Sequence, residues 1–252
     1  MTAIRVLGAA LLAGCIAFPC RAGEPVVARR LRLDLTAVLT HDDAVRSRDV
    51  ALAAALLAVM AMDDSGLAAT GRNHLPDGLS NLERGGRVAA ANTTGALLIL
   101  GGLLTGERRG WVAGLTLLEG NLLLGMTLDL AKSGFGRARP FQAHHGQFFR
   151  GGESFPSSHA AHAFLIASVI DATFHEPWAR RAVYPLAAAV SLSRLQNGTH
   201  HPTDVVAGAL LGWWVGRRLS AAHHLRPAHS GRPALEVALP DGGATLTLHW
   251  RW

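Results

Sequence analysis

Cationic, hydroxyl and imidazole side chains are concentrated in three short stretches of this 252-residue chain. They are KSGFGRARP at 132–140, SFPSSHAAHAF at 154–164 and SRLQNGTHHPTD at 193–204. Each stretch borders an apolar segment, and the second one opens a helix with a proline and two serines, where free N–H groups suit an anion. If neighbouring helices run antiparallel, all three stretches meet on one face. The sequence therefore predicts an anion site built from three parts.

Together the stretches resemble the three-part signature of the type 2 phosphatidic acid phosphatase superfamily, which also includes bacterial class A acid phosphatases and vanadium haloperoxidases. The matching residues are Lys132, Arg139 and Pro140; Pro156, Ser157, Ser158 and His159; and Ser193, Arg194, His200 and Asp204. One residue departs from the signature, because Ser158 stands where the family has glycine. Its backbone N–H is retained, but the added Cβ and hydroxyl alter the local geometry for a phosphate.

The resemblance implies a cradle for a phosphoryl group. Such a group carries negative charge on its equatorial oxygens, so the site needs fixed cations and N–H donors. Lys132, Arg139 and Arg194 would supply the charge, and each arginine is able to engage two oxygens at once. Ser157 and the backbone at Ser158 would complete the cradle.

The resemblance also implies covalent catalysis by histidine. Of two adjacent histidines, the family spacing selects His200 rather than His201. His200 lies six positions after Arg194 and four before Asp204. It would attack phosphorus to form a phosphohistidine, while Asp204 accepts its other ring N–H. His159 would protonate the leaving oxygen and later help to activate water, and a bell-shaped pH profile is expected.

No metal or other cofactor is expected for this chemistry. The 13 histidines include no HExxH-like pair, and no carboxylate cluster predicts a metal site. The two cysteines, Cys15 and Cys20, both lie close to the N-terminus. We therefore expect the mature domain to have no disulfide and no thiol nucleophile.

Apolar segments with helical character must position these residues. Six are predicted, at roughly 49–62, 88–105, 111–131, 157–175, 179–193 and 203–220. Because no central strands are indicated, they predict an all-α, six-helix bundle of the phosphatase and haloperoxidase type. The tail alternates apolar and polar residues on both sides of a PDGG turn, which predicts a small C-terminal β-hairpin over 234–251.

The N-terminal segment resembles an export signal. Arg5 precedes an apolar run, and cleavage after Ala22 would release the mature chain. The alternatives are a lipoprotein signal that ends before Cys15, since LAGC resembles a lipoprotein box, and an uncleaved anchor. The predicted domains are a signal at 1–22, a lead-in at 23–48, a helical phosphatase domain at 49–220 and the hairpin.

Charge and hydropathy favour an envelope setting. The formal net charge of +6 includes Arg5 and Arg21, so removing residues 1–22 leaves +4. That excess fits anionic substrates or membrane surfaces, and no lysine-rich run indicates nucleic acid. Arginine pairs fall at the helix ends opposite the three stretches, as on a cytoplasmic face. We expect an exported, membrane-associated protein with its site facing the periplasm, with integral and peripheral attachment both left open.

The preferred function is therefore a phosphatase that hydrolyses a phosphomonoester or pyrophosphate through a phosphohistidine. A phosphorylated lipid is the preferred substrate, and a soluble phosphate ester is the alternative within hydrolases. A vanadium haloperoxidase, with vanadate bonded to His200, is the alternative from another reaction class. A non-catalytic protein that binds lipid headgroups is the third interpretation. The sequence predicts no oligomeric state.

Overall fold

The computed structural model describes Asp64, residues 79–174 and 177–224, and two strands in the C-terminal tail. The helices and strands, in chain order, are a 3-10 helix (Leu79–Gly86), α1 (Val88–Thr105), α2 (Arg108–Phe135), α3 (Ser158–Phe174), α4 (Pro177–Gln196), α5 (Pro202–His224), β1 (Ala234–Ala238) and β2 (Thr245–His249). The fold is all-α apart from the two strands, as predicted.

Five of the six predicted helices lie in the described residues, and all five are α-helices. The first predicted helix at 49–62, the signal and its lipoprotein alternative, and the lead-in lie outside the described residues. Helix α2 runs one turn further than predicted, so that Lys132 lies in its last turn rather than in the following loop. Gly136 ends this helix, because its positive φ of 51° reverses the backbone and its N–H closes on the Lys132 carbonyl.

The 3-10 helix was not predicted. Its sequence, LSNLERGG, is short and carries glutamate, arginine and two glycines, a composition that resembles a loop. The helix ends directly before α1 and contacts both α3 and α4. Its position brings Glu83 and Arg87 to the site described below.

Helix α3 lies at the centre of the bundle and is buried on two sides. One apolar cluster joins α3 to α2 and α5, and includes Leu117, Leu165 and Leu219. A second cluster joins α3 to α4 through Ala167 and Val190. Burial on both sides explains why α3 is apolar around most of its circumference instead of showing a single apolar stripe. The first turn of α3, which carries His159, is thereby held rigidly.

Two glycines of α5 allow that helix to approach α3 closely. A Cβ on Gly208 would overlap the carbonyl group of Ser157, and a Cβ on Gly212 would overlap that of Ala161. Small residues permit such close backbone contact between helices. This contact fixes the start of α5, which carries Asp204, against the start of α3.

Helices α1 and α2 are long and apolar enough to cross a membrane. Helix α1 has a mean hydropathy of 1.6 and is only 17% buried, while α2 has a mean hydropathy of 1.3 and is half buried. Large apolar side chains of α1 point outward, including Leu97, Leu103 and Leu104. An exposed apolar surface of this kind marks a contact with lipid or with another protein.

The C-terminal tail contains a two-stranded sheet. Strands β1 and β2 pair antiparallel, with Leu235 opposite Leu248 and Val237 opposite Leu246. The alternating apolar residues of the two strands therefore lie opposite one another. The hairpin belongs to a separate compact unit that begins at residue 223.

Candidate active site

Direct hydrogen bonds join the three chemically distinctive stretches at one end of the bundle. The Ser157 N–H donates to the Asp204 carbonyl oxygen at 2.9 Å, which connects the second stretch to the third. Arg137 Nη1 donates to Asp204 Oδ1 at 2.7 Å, which connects the first stretch to the third. The three parts, separated by up to 67 residues in the chain, thus form one buried site.

His200 is buried and its ring is oriented by a backbone carbonyl. Nδ1 lies 2.9 Å from the Ser154 carbonyl oxygen and 3.6 Å from Asp204 Oδ2. Because a carbonyl oxygen only accepts, Nδ1 carries the proton, which leaves a lone pair on Nε2. Burial lowers the pKa of His200; Asp204 opposes this shift, and the charges of Arg139 and Arg194 reinforce it. The imidazole is therefore neutral at neutral pH.

Asp204 is fully buried and accepts from several groups. Ser154 Oγ donates to Oδ2 at 2.5 Å, the His201 N–H donates to Oδ2 at 2.8 Å, and Arg137 donates to Oδ1. Burial alone would raise the pKa of Asp204, but the nearby His200 imidazole, the charge of Arg137 and the Ser154 hydroxyl lower it to about 2. The carboxylate stays ionised beside His200 over the physiological range of pH.

Arg137 bridges two buried carboxylates. In addition to Asp204, its Nη2 contacts Asp64 Oδ2 at 2.6 Å, while Nε donates to the Gly146 carbonyl at 3.0 Å. Nη1 also donates to Thr203 Oγ1, and the Thr203 N–H and hydroxyl both donate to Asp64. Nε, Nη1 and Nη2 of Arg137 all have partners within the protein. We therefore interpret this guanidinium as a structural cation that holds the two carboxylates. Sequence reasoning missed Arg137, Asp64 and Ser154.

Arg194 is buried and paired with a glutamate from the 3-10 helix. Its Nη1 lies 2.5 Å from Glu83 Oε2. Glu83 Oε1 also accepts from Arg87 at 2.9 Å. The bond from Arg87 and the charge of Arg194 lower the pKa of Glu83 despite some burial, so it is ionised. Arg194 Nε is buried and has no hydrogen-bond partner among the described residues, and the same is true of Ser157 Oγ.

His159 lines a cavity of about 440 Å³ at this end of the bundle. The other lining residues are Glu83, Gly86, Arg87, Val88, Ser158, His162 and Arg194. Burial lowers the pKa of His159 to about 4, and the charge of Arg194 contributes in the same direction. His159 is therefore neutral in the empty cavity at neutral pH.

Of the remaining residues singled out in the sequence, Ser158 lines this cavity, while Lys132 and Arg139 act through their charge on residues of the site. Lys132 and Arg139 are half-buried, and the charge of Arg139 acts on both His200 and Arg194. Lys132 lies in the last turn of α2, where its charge acts on His162. Ser158 begins α3, and its carbonyl lies 2.6 Å from His162 Nδ1. All the residues predicted for the site therefore lie at one end of the bundle.

Ser157 contacts the third stretch through its backbone. The Ser157 N–H is bonded to Asp204, and the Ser157 hydroxyl does not cap α3. The Ser157 hydroxyl is therefore left without a partner among the described residues. Among the described residues, no group of three His, Cys, Asp or Glu side chains is arranged to hold a metal ion.

Comparison with known proteins supports the architecture of this region. Residues 113–227 match the family model described as the PAP2 superfamily. The fold is similar to that of a transmembrane PAP2-type phosphatidylglycerolphosphate phosphatase from Bacillus subtilis, with a TM-score of 0.51 and 19% sequence identity. That similarity covers 81% of this chain and 98% of the Bacillus chain.

Two curated relatives are similar in sequence over shorter regions. The lipid A 1-phosphatase of Porphyromonas gingivalis is 33% identical over 99 residues, which cover 38% of this chain and 21% of the relative. The lipid A 4'-phosphatase of Bacteroides thetaiotaomicron is 39% identical over 66 residues, which cover 26% of this chain and 29% of the relative. The match thus spans less than a third of either relative. Similarity to the PAP2 superfamily therefore extends over residues 113–227 of this chain.

Proposed function

We propose that this protein is a metal-independent phosphatase that transfers a phosphoryl group to His200 and then to water. The proposal rests on the protonation and orientation of the His200 ring. Its Nδ1 proton is held by the Ser154 carbonyl, and no hydrogen bond among the described residues engages Nε2. A neutral imidazole with a fixed tautomer and an unengaged lone pair is suited to attack phosphorus.

Two buried donors support the presence of an anion beside this imidazole. Arg194 Nε and Ser157 Oγ are both buried and have no partner in the part of the chain that the structure describes, and leaving such groups unbonded costs about 1–3 kcal/mol each. The oxygens of a phosphoryl group would satisfy both. Lys132 and Arg139 add positive charge, which stabilises the charge on the phosphoryl oxygens during transfer.

In the first step, His200 Nε2 forms a bond to phosphorus while the bond from phosphorus to the leaving oxygen breaks. The leaving oxygen takes a proton from His159, so the products are a phosphohistidine and a free alcohol or phosphate. His159 is neutral in the empty cavity because Arg194 and burial lower its pKa. A bound phosphoryl anion offsets the charge of Arg194, which allows His159 to take up the proton it then donates.

In the second step, water attacks phosphorus and the bond from phosphorus to Nε2 breaks. His159, now neutral, accepts a proton from the attacking water. Ionised Asp204, whose Oδ2 lies 3.6 Å from Nδ1, stabilises the positive charge of the phosphorylated ring until that bond breaks. Phosphate then leaves, and His159 releases its proton to solvent, which restores the neutral pair of histidines.

A phosphorylated lipid is the substrate class we favour. The two curated relatives are named lipid A phosphatases. An apolar cavity of about 300 Å³ lies between α3, α4 and α5, and its lining includes Val205, Val206 and Leu192. Val205 directly follows Asp204 in the chain, and Leu192 lies two residues before Arg194, so this cavity runs along the helices from the level of the site. It offers an acyl chain an apolar surface.

We further propose that the site faces the periplasm. The PAP2-type fold and the candidate spans α1 and α2 support membrane association. The site lies at the end of the bundle formed by the start of α3 and α5. The arginine pairs at 108–109, 180–181 and 217–218 lie at the opposite end, where the positive-inside rule would set a cytoplasmic face. The export signal proposed for residues 1–22 agrees with this orientation.

Phosphate release tests the proposed function. Wild type and His200→Ala would be assayed in chelator with a lipid A phosphate, a phosphatidylglycerol phosphate, an isoprenyl pyrophosphate and a soluble aryl phosphate. We expect release by wild type only, with the lipids preferred. Release that is equal for both proteins contradicts the role of His200. Bromide oxidation that depends on added vanadate and peroxide, without hydrolysis, would favour the haloperoxidase.

Labelling of engineered cysteines tests the orientation. Gln147→Cys lies in the exposed loop beside the site, and Arg108→Cys begins α2 at the other end. An impermeant thiol reagent should modify Gln147→Cys in intact cells with a permeabilised outer membrane, and Arg108→Cys only after lysis. The reverse pattern contradicts a periplasmic site, and modification of both contradicts a spanning bundle.

A further inference from the structure

Glu83 lies at the wall of the active-site cavity and contacts the buried guanidinium of Arg194. The Arg194 side chain is 7% exposed and that of Glu83 is 30% exposed. The two residues are 111 positions apart in the chain. Glu83 lies outside the three signature stretches, in the 3-10 helix that the sequence did not predict.

The carboxylate of Glu83 is held from several directions. Arg87 Nη2 donates to Oε1 at 2.9 Å, and Asn197 Nδ2 donates to Oε2 at 3.3 Å. The 3-10 helix is itself pressed against α3, because a Cβ on Gly86 would lie 2.5 Å from the His159 carbonyl oxygen. Glu83 therefore presents a fixed oxygen to Arg194 rather than one end of a mobile surface side chain.

The contact uses only one part of the Arg194 guanidinium. Nη1 is bonded to Glu83, whereas Nε is buried and no described residue forms a hydrogen bond with it. A guanidinium is planar and rigid, so fixing Nη1 also fixes the direction of the Nε–H bond. Both Glu83 and Arg194 line the cavity that contains His159. The pair thus leaves an oriented, unsatisfied donor at the site.

We propose that Glu83 is a positioning residue that holds Arg194 by Nη1 so that Nε–H is directed at the phosphoryl group. This role rests on the proposed function, in which Arg194 binds that group. The alternative role is competition between Glu83 and phosphate for Arg194. In that case the Glu83 carboxylate would occupy the place of a phosphate and would have to be displaced. The two roles predict opposite changes in phosphate affinity when the carboxylate is removed.

The test compares the full-length chain with Glu83→Ala, Glu83→Gln and Arg194→Ala, using inorganic phosphate as the probe. Calorimetry gives its dissociation constant, and inhibition of aryl phosphate hydrolysis gives the inhibition constant, KM and kcat. Glu107→Ala is the matched control, because Glu107 is an exposed glutamate at the start of α2, at the far end of the bundle. Circular dichroism melting checks that each variant is folded.

We expect Glu83→Ala to weaken phosphate binding and to raise KM about tenfold, the order expected for one misdirected hydrogen bond to a charged group. The value of kcat should fall less, because the nucleophile is untouched. Glu83→Gln retains an acceptor oxygen and should recover most of the loss. Adding Glu83→Ala to Arg194→Ala should have little further effect, since Glu83 acts through Arg194.

Tighter phosphate binding in Glu83→Ala would overturn the positioning role in favour of competition. Equal binding by Glu83→Ala and wild type, or an equal further loss in the double variant, would overturn it as well. These outcomes are distinct from failure of the proposed function. If wild type hydrolyses none of the substrates, the proposed function fails, and calorimetry with phosphate alone still decides whether Glu83 positions Arg194.

Discussion

Nδ1 of His200 lies closer to the carbonyl oxygen of Ser154, at 2.9 Å, than to the carboxylate of Asp204, at 3.6 Å. The expectation from the family resemblance was that Asp204 accepts this proton. In the structure the backbone carbonyl fixes the tautomer, and Asp204 supplies negative charge from slightly further away. Orientation and charge stabilisation of the imidazole therefore come from two different groups.

This division of roles predicts graded effects of substitutions. Ser154→Ala removes the hydroxyl bond to Asp204 but retains the carbonyl that orients His200, so kcat should fall by about tenfold or less. Asp204→Asn removes the charge that stabilises the ring when it is phosphorylated, and a fall on the order of a hundredfold is expected. Steady-state kinetics measure both. A loss in Ser154→Ala as large as that in His200→Ala would mean that the hydroxyl itself takes part in the reaction.

Substitutions of Arg137 and Arg139 by glutamine are predicted to differ in their effects: the first should lower stability, and the second should lower activity. Arg137 bridges two buried carboxylates, so Arg137→Gln leaves buried charge unpaired and should cost about 3–5 kcal/mol of stability. Asp64→Asn combined with Arg137→Gln should recover part of the melting temperature. Arg139→Gln is the matched control in the same loop, and it should melt near wild type while losing activity. A lower melting temperature for Arg139→Gln than for Arg137→Gln contradicts these assignments.

The pKa of His159 should depend on the occupancy of the cavity. In the free protein it is lowered to about 4, first by burial and next by the positive charge of Arg194. Phosphate offsets that charge, so the pKa must rise when phosphate binds, and binding should take up protons between pH 4 and the raised pKa. An NMR titration of the His159 ring with and without inorganic phosphate measures the change. An unchanged or lower pKa in the phosphate complex would show that His159 does not face the bound anion.

Filling the apolar cavity should affect lipid substrates selectively. Ala209 lines that cavity, and a tryptophan there removes the space available to an acyl chain. We expect Ala209→Trp to raise KM for a long-chain lipid phosphate about tenfold, by the loss of apolar burial, with little change for a soluble aryl phosphate. Ala182→Trp on the exposed side of α4 is the control. Equal effects on both substrates would indicate general damage to the fold.

Local sequence patterns were sufficient to predict the helices, but they did not predict which side chains of different helices form ion pairs. Apolar runs predicted α1–α5, because each run is long and bounded by charged or glycine-containing segments. The end of α2 was misjudged, since KSG continues the helix until Gly136 adopts a positive φ. The 3-10 helix was missed because LSNLERGG has the composition of a loop and is held by contacts with α3 and α4.

The sequence did not predict the partners of the two buried arginines. Arg137 and Asp64 are 73 positions apart, and Glu83 and Arg194 are 111 apart. No periodicity links residues at such distances, since only the packing of the helices brings them together. In KSGFGRARP the spacing singled out Arg139, whereas the burial of Arg137 becomes evident only in the folded chain.

Detection of a phosphoryl group bound to the enzyme is the decisive test of His200 as the nucleophile. Wild type, His200→Ala and His159→Ala would be mixed with an aryl phosphate, quenched within milliseconds and analysed by peptide mass spectrometry. We predict a phosphoryl group on His200 in wild type and a larger amount in His159→Ala, because an aryl leaving group needs little protonation while attack by water still requires the base. A phosphoryl group on another residue of wild type, or a phosphorylated His200→Ala variant, would show that His200 is not the nucleophile.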